Sequence, residues 1–351
     1  MIYTNPEKAN LPNLNETLEI LRQAVESMPK VQVRPFDHPA DRRFILTRTN
    51  TMFSIKPNIQ QSSCLFMGKN CLVDQLRGKW WKFSREEFML QNVIQEEMRI
   101  VMESHPFYRL FSQGFERIQI LNPYGIGMAY GQNTAMLPLT SDMDVAAFQA
   151  SRFSDNDEDG QKISTGVFYL FELRAPMSYI PGLSTVGKQP FERPGRMKLF
   201  AYHTNPTVNF NSLPFVKGFE FRHDREISLE WERRFSSPET TLFPNESISR
   251  KFDIIRSRKI VSYRAIDRNL ADNPQDNREN NIRRIRNAGY EIVDSLNLDY
   301  TRDELRTEWY DTVFDLWKKF WSDVDLNIIN PERQKRILDL PNNPLYSEFF
   351  V

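Results

Sequence analysis

The sequence predicts an α+β fold: a mixed or largely antiparallel twisted sheet flanked by N- and C-terminal helices. Three observations predict it. Apolar residues recur at helical spacing near both ends of the chain, and strand-like segments separated by Pro, Gly and Asn turns fill the middle. The run Gly166-Val-Phe-Tyr-Leu-Phe-Glu-Leu173 is apolar on both faces, as a central strand is.

At the N-terminal end, Leu14, Leu18, Leu21 and Val25 follow Asn13, with Glu16 three residues on, so a helix opened by a capping box spans 15–27 and ends at Pro29. Residues 30–80 read as extended segments and turns, among them Thr51–Ile55 and Ser63–Phe66. A second helix starts at Ser84, which caps while Glu87 reaches back; it carries Leu90, Ile94, Met98 and Val101 and stops before Pro106. Strands follow at Phe115–Leu121, 166–173 and Met197–Tyr202. A short helix lies between the first two, from Asp142 to Ala150, with Ser141 as its cap and Asp144 at the third position. Residues 152–165 read as an exposed acidic loop. Helical patterns and charge return from about 225, interrupted by a loop at 271–281. The last helix, 302–322, opens on Thr301 and Glu304 and carries Leu305, Trp309, Val313, Leu316 and Phe320 as a stripe. The whole reads as one continuous body in three stretches: 1–49, 50–225 and 226–351.

Composition narrows the function classes. Hydrophobic residues make up 40% and charged residues 26% of 351, an ordinary globular balance. With only 13 glycines there is little material for a phosphate-cradling loop, and NPYGIGMAYG (122–131) lacks the G-x-G-x-x-G spacing, so it reads as a tight turn. Lys plus Arg and Asp plus Glu both total 46, so any attraction for nucleic acid must be local. No stretch approaches a membrane span, and the N-terminus has no signal-peptide pattern, which predicts a cytoplasmic protein that engages no membrane. Cys64 and Cys71, with His38, His105, His203 and His223, offer no zinc spacing; no metal is expected, and the cysteines read as free thiols.

The segment from Ala129 to Ala150 resembles the most characteristic stretch of the FRG domain, a prokaryotic family. Its pattern H-Y-G-x-P-T-x-x-L-D-x-T-S-D is met without a gap by Tyr130, Gly131, Thr134, Leu137 and Thr140-Ser141-Asp142, then by Val145, Ala146, Phe148 and Ala150 in the helix that follows. Leu65-Phe66-Met67-Gly68 stands where the name-giving aromatic-Arg-Gly motif is expected, and Gln189-Pro-Phe-Glu-Arg-Pro-Gly-Arg196 is similar to a later Pro/Arg segment, so the resemblance covers roughly 50–225. The motif Arg is Met67 here, its His is Ala129 and its Asp is Pro138, and each change removes a polar group. A weaker resemblance, to the Arg and Ser-Thr-Ser elements of ADP-ribosyltransferases, implies NAD as cofactor, with a guanidinium on its diphosphate and a carboxylate stabilising the sugar cation. Thr140 and Ser141 keep the second element. Arg193 or Arg196 would replace the missing Arg, and Glu192 or Glu220 would serve as catalytic carboxylate.

Two functional readings follow. One is a nucleotide- or NAD-handling transferase scaffold of toxin or phage-defence type, binding its ligand through Tyr130, Thr134, Thr140, Ser141, Arg193 and Arg196. The other is a non-catalytic module, without cofactor, that binds nucleic acid or a protein. Each residue also has a structural reading. Thr140-Ser141-Asp142 suits a strand-to-helix turn, Arg193 and Arg196 suit a solvated turn around Pro194-Gly195, and His203 suits a strand. Arg250, Lys251, Arg256, Arg258, Lys259, Arg264, Arg268, Arg278, Arg283, Arg284 and Arg286 could track a phosphate backbone with Tyr263 and Tyr290 stacking, or form a helix face salt-bridged to Asp253 and Asp267. Trp309, Trp317 and Trp321 of the last helix serve either the core or a homodimer.

Overall fold

The computed structural model describes residues 2–3, 11–28, 44–49, 52–57, 64–112, 117–118, 121–152, 164–173, 181–205, 207–301, 303–304 and 313–343. Its strands are β1 (Ile2–Tyr3), β2 (Phe44–Thr49), β3 (Met52–Pro57), β4 (Cys64–Lys69), β5 (Met136–Thr140), β6 (Thr165–Glu172), β7 (Leu183–Thr185), β8 (Leu199–His203), β9 (Val216–Arg222), β10 (Ile260–Ser262), β11 (Glu291–Val293) and β12 (Val324–Asp325). Its helices are α1 (Leu14–Ser27), α2 (Arg85–Ser104), α3 (Pro106–Ser112), α4 (Pro123–Ala129), α5 (Met143–Ser151), α6 (Glu192–Arg196), α7 (Arg225–Arg234), α8 (Ser247–Ser257), α9 (Tyr263–Asp272), α10 (Arg278–Asn287), α11 (Val313–Ser322) and α12 (Pro331–Leu338). The α+β class is therefore met. Among the described residues no helix is long and apolar enough to cross a membrane.

The main sheet runs β1-β9-β6-β4-β5-β8-β7, antiparallel at every pairing except β1 with β9. β6 is an interior strand between β9 and β4, and Val167 through Leu170 are buried because alternate side chains enter two different cores. Phe168 and Leu170 join Phe66 beneath a cover built from α1, α2, α4, α5 and α8. Val167, Tyr169 and Phe171 join Leu65 and Met67 on the opposite face, where the cover consists of loop residues such as Leu76, Phe210 and Phe215. One face of the sheet is thus helix-covered and the other loop-covered.

Both capping boxes expected from the sequence are present, Asn13 with Glu16 on α1 and Ser84 with Glu87 on α2. On α5 the cap is Asp142, one residue beyond the expected Ser141. The Asp142 carboxylate accepts from Asp144 N at 2.9 Å and is held in place by Lys198 Nζ at 2.8 Å, while Ser141 ends the strand with its N–H on Lys198 O. NPYGIGMA is a helix, contrary to the expected tight turn. Asn122 caps it, Pro123 supplies its first position, and its glycines permit close packing: a Cβ on Gly125 would lie 2.5 Å from Val186, and one on Gly127 1.7 Å from Gln132 Oε1. Only Gly131, at φ +85°, is a turn glycine. Most of the expected strand 115–121 lies outside the described residues; Ile118, which is described, bridges to Phe53.

The C-terminal third folds back onto the N-terminal one. The boundary expected at residue 50 falls inside the β2–β3 hairpin, and β12 pairs with β2 in a three-stranded second sheet. Phe44, Leu46 and Ile55 share a core with Phe107, Phe111, Trp317, Phe320 and Trp321. Trp317 is 0% exposed and donates its indole N–H to Ile337 O at 2.6 Å. Thr301 and Glu304 make the expected reciprocal cap bonds, and Leu305 and Trp309 lie outside the described residues. Of the last helix, Trp317, Phe320 and Trp321 are spent on this chain's own core. The loop expected at 271–281 is shorter than read, because Asn277 caps α10. We expect Trp317→Ala to cost about 3–5 kcal/mol, the usual penalty for emptying a buried aromatic site. Urea unfolding reads this directly, and an unchanged midpoint would show that Trp317 is not core.

Candidate functional site

Of the residues singled out by sequence, Tyr130, Glu192 and Arg193 converge, and they do so around Glu246, which the sequence reading missed. Tyr130 follows α4 and is 1% exposed. Its hydroxyl donates to one Glu246 oxygen, while the other accepts the Glu192 backbone N–H at 2.8 Å. The Arg193 guanidinium lies 4.3 Å from the Tyr130 ring centre and 5.1 Å from that of Phe243, and gives Nη2 to Ser249 Oγ at 3.0 Å. Arg256 closes the far side, donating to Tyr130 O and pairing with Asp253. α4, α6 and α8 are therefore fastened to one another through a single carboxylate. Glu246 occupies the N-cap position of α8 without capping it, and a Glu there is the one irregularity that sequence could have shown.

Burial pushes the Glu246 carboxyl up to about 7, against the hydrogen bonds from Tyr130 and the Glu192 N–H that favour its charge. The same burial, reinforced by the Glu246 carboxylate, raises the Tyr130 phenol well above its usual value. Burial opposes the charge on Glu192 as well. There Arg196 and Lys319 outweigh it and hold the carboxyl below its ordinary value.

The remaining expected site residues are dispersed. Arg193 and Arg196 stand on the short helix α6 and point apart, in contrast to the expected turn. Arg196 binds Glu192 at 2.9 Å and the carbonyls of Pro238 and Thr241 at 2.7 and 2.9 Å. Thr140 gives its hydroxyl to Met197 O at 2.7 Å and accepts from Asp142 N at 3.0 Å, and Thr134 closes its own turn on Met136. Ser141 is half-buried. Glu220 is buried on the loop-covered face, since it shares the strand parity of Val216. His203 is the exposed end of β8. Cys64 and Cys71 are free thiols. Two cavities lie elsewhere: one of about 10 Å³ beside Glu97, Ser262 and Arg264, another along 332–343. No group of three or more His, Cys, Asp or Glu among the described residues is arranged to hold a metal.

Arg250 of the basic stretch donates to Asn245 Oδ1 at 2.8 Å, and the other ten residues divide into two sets. Lys251 pairs with Glu304, Arg256 with Asp253, Arg268 with Glu96 and Glu103, and Arg278 with Asp267. Arg258, Lys259, Arg264, Arg283, Arg284 and Arg286 form no ion pair with any described residue, and all but the half-buried Arg284 are exposed. They surround a compact unit in which β10 and β11 pair in parallel and α9 and α10 make the crossover. Tyr263 is engaged there already, with Arg278 over its ring at 5.2 Å and Arg286 Nη2 at 3.4 Å from its hydroxyl.

Compared with known proteins, the chain matches no family model, no curated protein and no solved structure.

The Glu246 carboxyl gives a pH signature of definite sign. It titrates near 7 in the fold and near its ordinary 4.5 when unfolded, so between those values the folded chain holds a proton that the unfolded chain has lost. Its contribution to stability is complete below 4.5 and is lost as pH rises to 7. Glu246→Gln should accordingly gain on the parent by about 1–3 kcal/mol when pH is raised from about 5 to about 8. Thermal unfolding of both proteins across that range checks it, and a difference independent of pH would refute the assignment.

Proposed function

We propose that the chain is a non-catalytic nucleic-acid-binding module, and that Arg258, Lys259, Arg264, Arg283, Arg284 and Arg286 hold the phosphate backbone. The supporting observation is the division of the basic stretch. Cations already paired with Glu96, Glu103, Asp253, Asp267 or Glu304 are neutralised within the fold, whereas these six form no ion pair with a described residue, Arg264 alone among them feeling a buried carboxylate, that of Glu97. Arginines and lysines left in this state bind a polyanion chiefly by releasing its counterions. On this reading the likeness of 129–150 to the FRG domain is a likeness of scaffold. An NAD-handling transferase calls for a guanidinium and a carboxylate facing one open cleft, and that reading draws less support. Arg193 is stacked on Tyr130, Arg196 is spent on Glu192 and two carbonyls, and Glu220 lies on the other face of the sheet.

Fluorescence anisotropy with labelled single-stranded DNA, duplex DNA and RNA across a salt series tests the proposal. Affinity should fall linearly with the logarithm of salt concentration, and the double variant Arg264→Ala, Arg286→Ala should reduce that slope by about two, roughly one per lost phosphate contact. Absence of binding to all three probes at about 50 mM salt would end the proposal. Transfer from, or hydrolysis of, labelled NAD by the purified chain would favour the transferase instead.

A further inference from the structure

The loop-covered face of the main sheet carries a second polar cluster. Strand alternation brings Leu65, Met67 and Lys69 of β4 to this face, with Met67 beside Tyr169 and Lys69 beside Val167 of β6. Lys69 is the last residue of β4 and is half-buried. The charged and titratable groups that act on it are Lys79, Lys82 and Cys71. None of the three lysines forms an ion pair with a described residue. Tyr169 is 1% exposed, its hydroxyl has no hydrogen-bond partner, and Cys71 is the titratable group it feels.

Such a grouping is costly as it stands. Burial, followed by the repulsion of Lys79, lowers the pKa of the Lys69 ammonium, and the orphaned Tyr169 donor adds the penalty of an unmade hydrogen bond. A multiply charged oxyanion would relieve both at once, accepting from the hydroxyl and neutralising the amines. The segment that brings Lys79 and Lys82 is also fixed in place. Gly78 packs so closely on Ala135 that a Cβ would lie 2.3 Å from its carbonyl carbon, Gly78 N donates to Thr204 Oγ1 at 2.8 Å, and Trp81 Nε1 donates to Thr204 O at 2.9 Å. A preset site loses little freedom on binding.

We infer that Lys69, Lys79, Lys82 and the Tyr169 hydroxyl form a binding site for a phosphate group, separate from the cations of 258–286. The group is carried either by free phosphate or by a small phosphate ester. Titration of the full chain with inorganic phosphate, pyrophosphate and ADP, followed by calorimetry and by the fluorescence of neighbouring Trp80 and Trp81, distinguishes the two sources: tighter binding of the inorganic ions assigns the former, tighter binding of ADP the latter. Lys69→Met should weaken binding by about tenfold or more, Lys69→Arg should retain it, and Tyr169→Phe should weaken it severalfold. The pair Arg264→Ala, Arg286→Ala should leave it unchanged, which separates failure here from failure of the nucleic-acid reading. In the unaltered chain, saturating pyrophosphate should protect Lys69 from acetic anhydride more than it protects Lys335. The inference is overturned if none of the three anions binds saturably by about 10 mM, if Lys69→Met binds like the parent, or if Lys69 gains no protection.

Discussion

The fold depends on a strand with no polar face. Because both sides of β6 are apolar, the sheet must be covered twice, and the chain has helices enough for only one side. α1, α2, α4, α5 and α8 take that side. The other is closed by the segments around Leu76, Phe210 and Phe215, which bring turns, backbone polar groups and lysines close to the sheet. Polar clusters on the two faces therefore differ in kind. On the helical face they lie between helices and fasten them; on the loop face they lie at the end of the sheet beside solvent.

The Glu246 node illustrates the first kind. A lone half-buried carboxylate would be expensive, and here two hydrogen bonds hold it and the Arg193 guanidinium favours its charge. Such a network adds less to stability than to uniqueness, since any other docking of α8 would strand a charge. His105 works in the opposite sense nearby. Burial, with a smaller push from Arg109, lowers its imidazole to about 3, and it sits edge-on to Phe107, Phe191 and Tyr300. Its neutral form contributes stability that is lost as pH falls below the unfolded value near 6.5, whereas that of Glu246 is lost as pH rises. Two buried groups of opposite habit thus confine the stable range from both sides.

What the sequence made legible was local. The caps at Asn13 and Ser84 each join residues three apart, and the run 166–173 carries its two-sided burial in its own composition. The α5 cap slipped by one residue because Lys198, 56 positions away, favours the carboxylate at 142 over the hydroxyl at 141. α4 was hidden because glycines argue against a helix by propensity, while here they allow contact with Val186 and Gln132. Glu246 meets Tyr130 across 116 positions and Arg268 meets Glu103 across 165, and no spacing rule reaches so far. The Tyr130 to Ala150 span does form one continuous unit of bend, strand and capped helix, yet its Tyr130 and Thr140 hydroxyls are taken up by the chain itself.

Equal totals of 46 acidic and 46 basic residues leave no long-range field, so recognition of an anion must come from charges the fold leaves unpaired. Adding up basic residues along 250–286 overstates that supply, because Lys251, Arg256, Arg268 and Arg278 have their charge returned by partners within 4 Å. The cations left over are of two physical types. Those around α9 and α10 are mostly exposed and separated by several residues, a distribution that suits a long, repeating polyanion and is readily screened by salt. Lys69 is half-buried on the face of the orphaned Tyr169 hydroxyl, where screening is weaker, and the exposed Lys79 and Lys82 act on it from the neighbouring segment, a grouping that suits a small, dense anion. Burial, more than the number of charges, therefore separates a surface that grips a backbone from a point that grips a single phosphate.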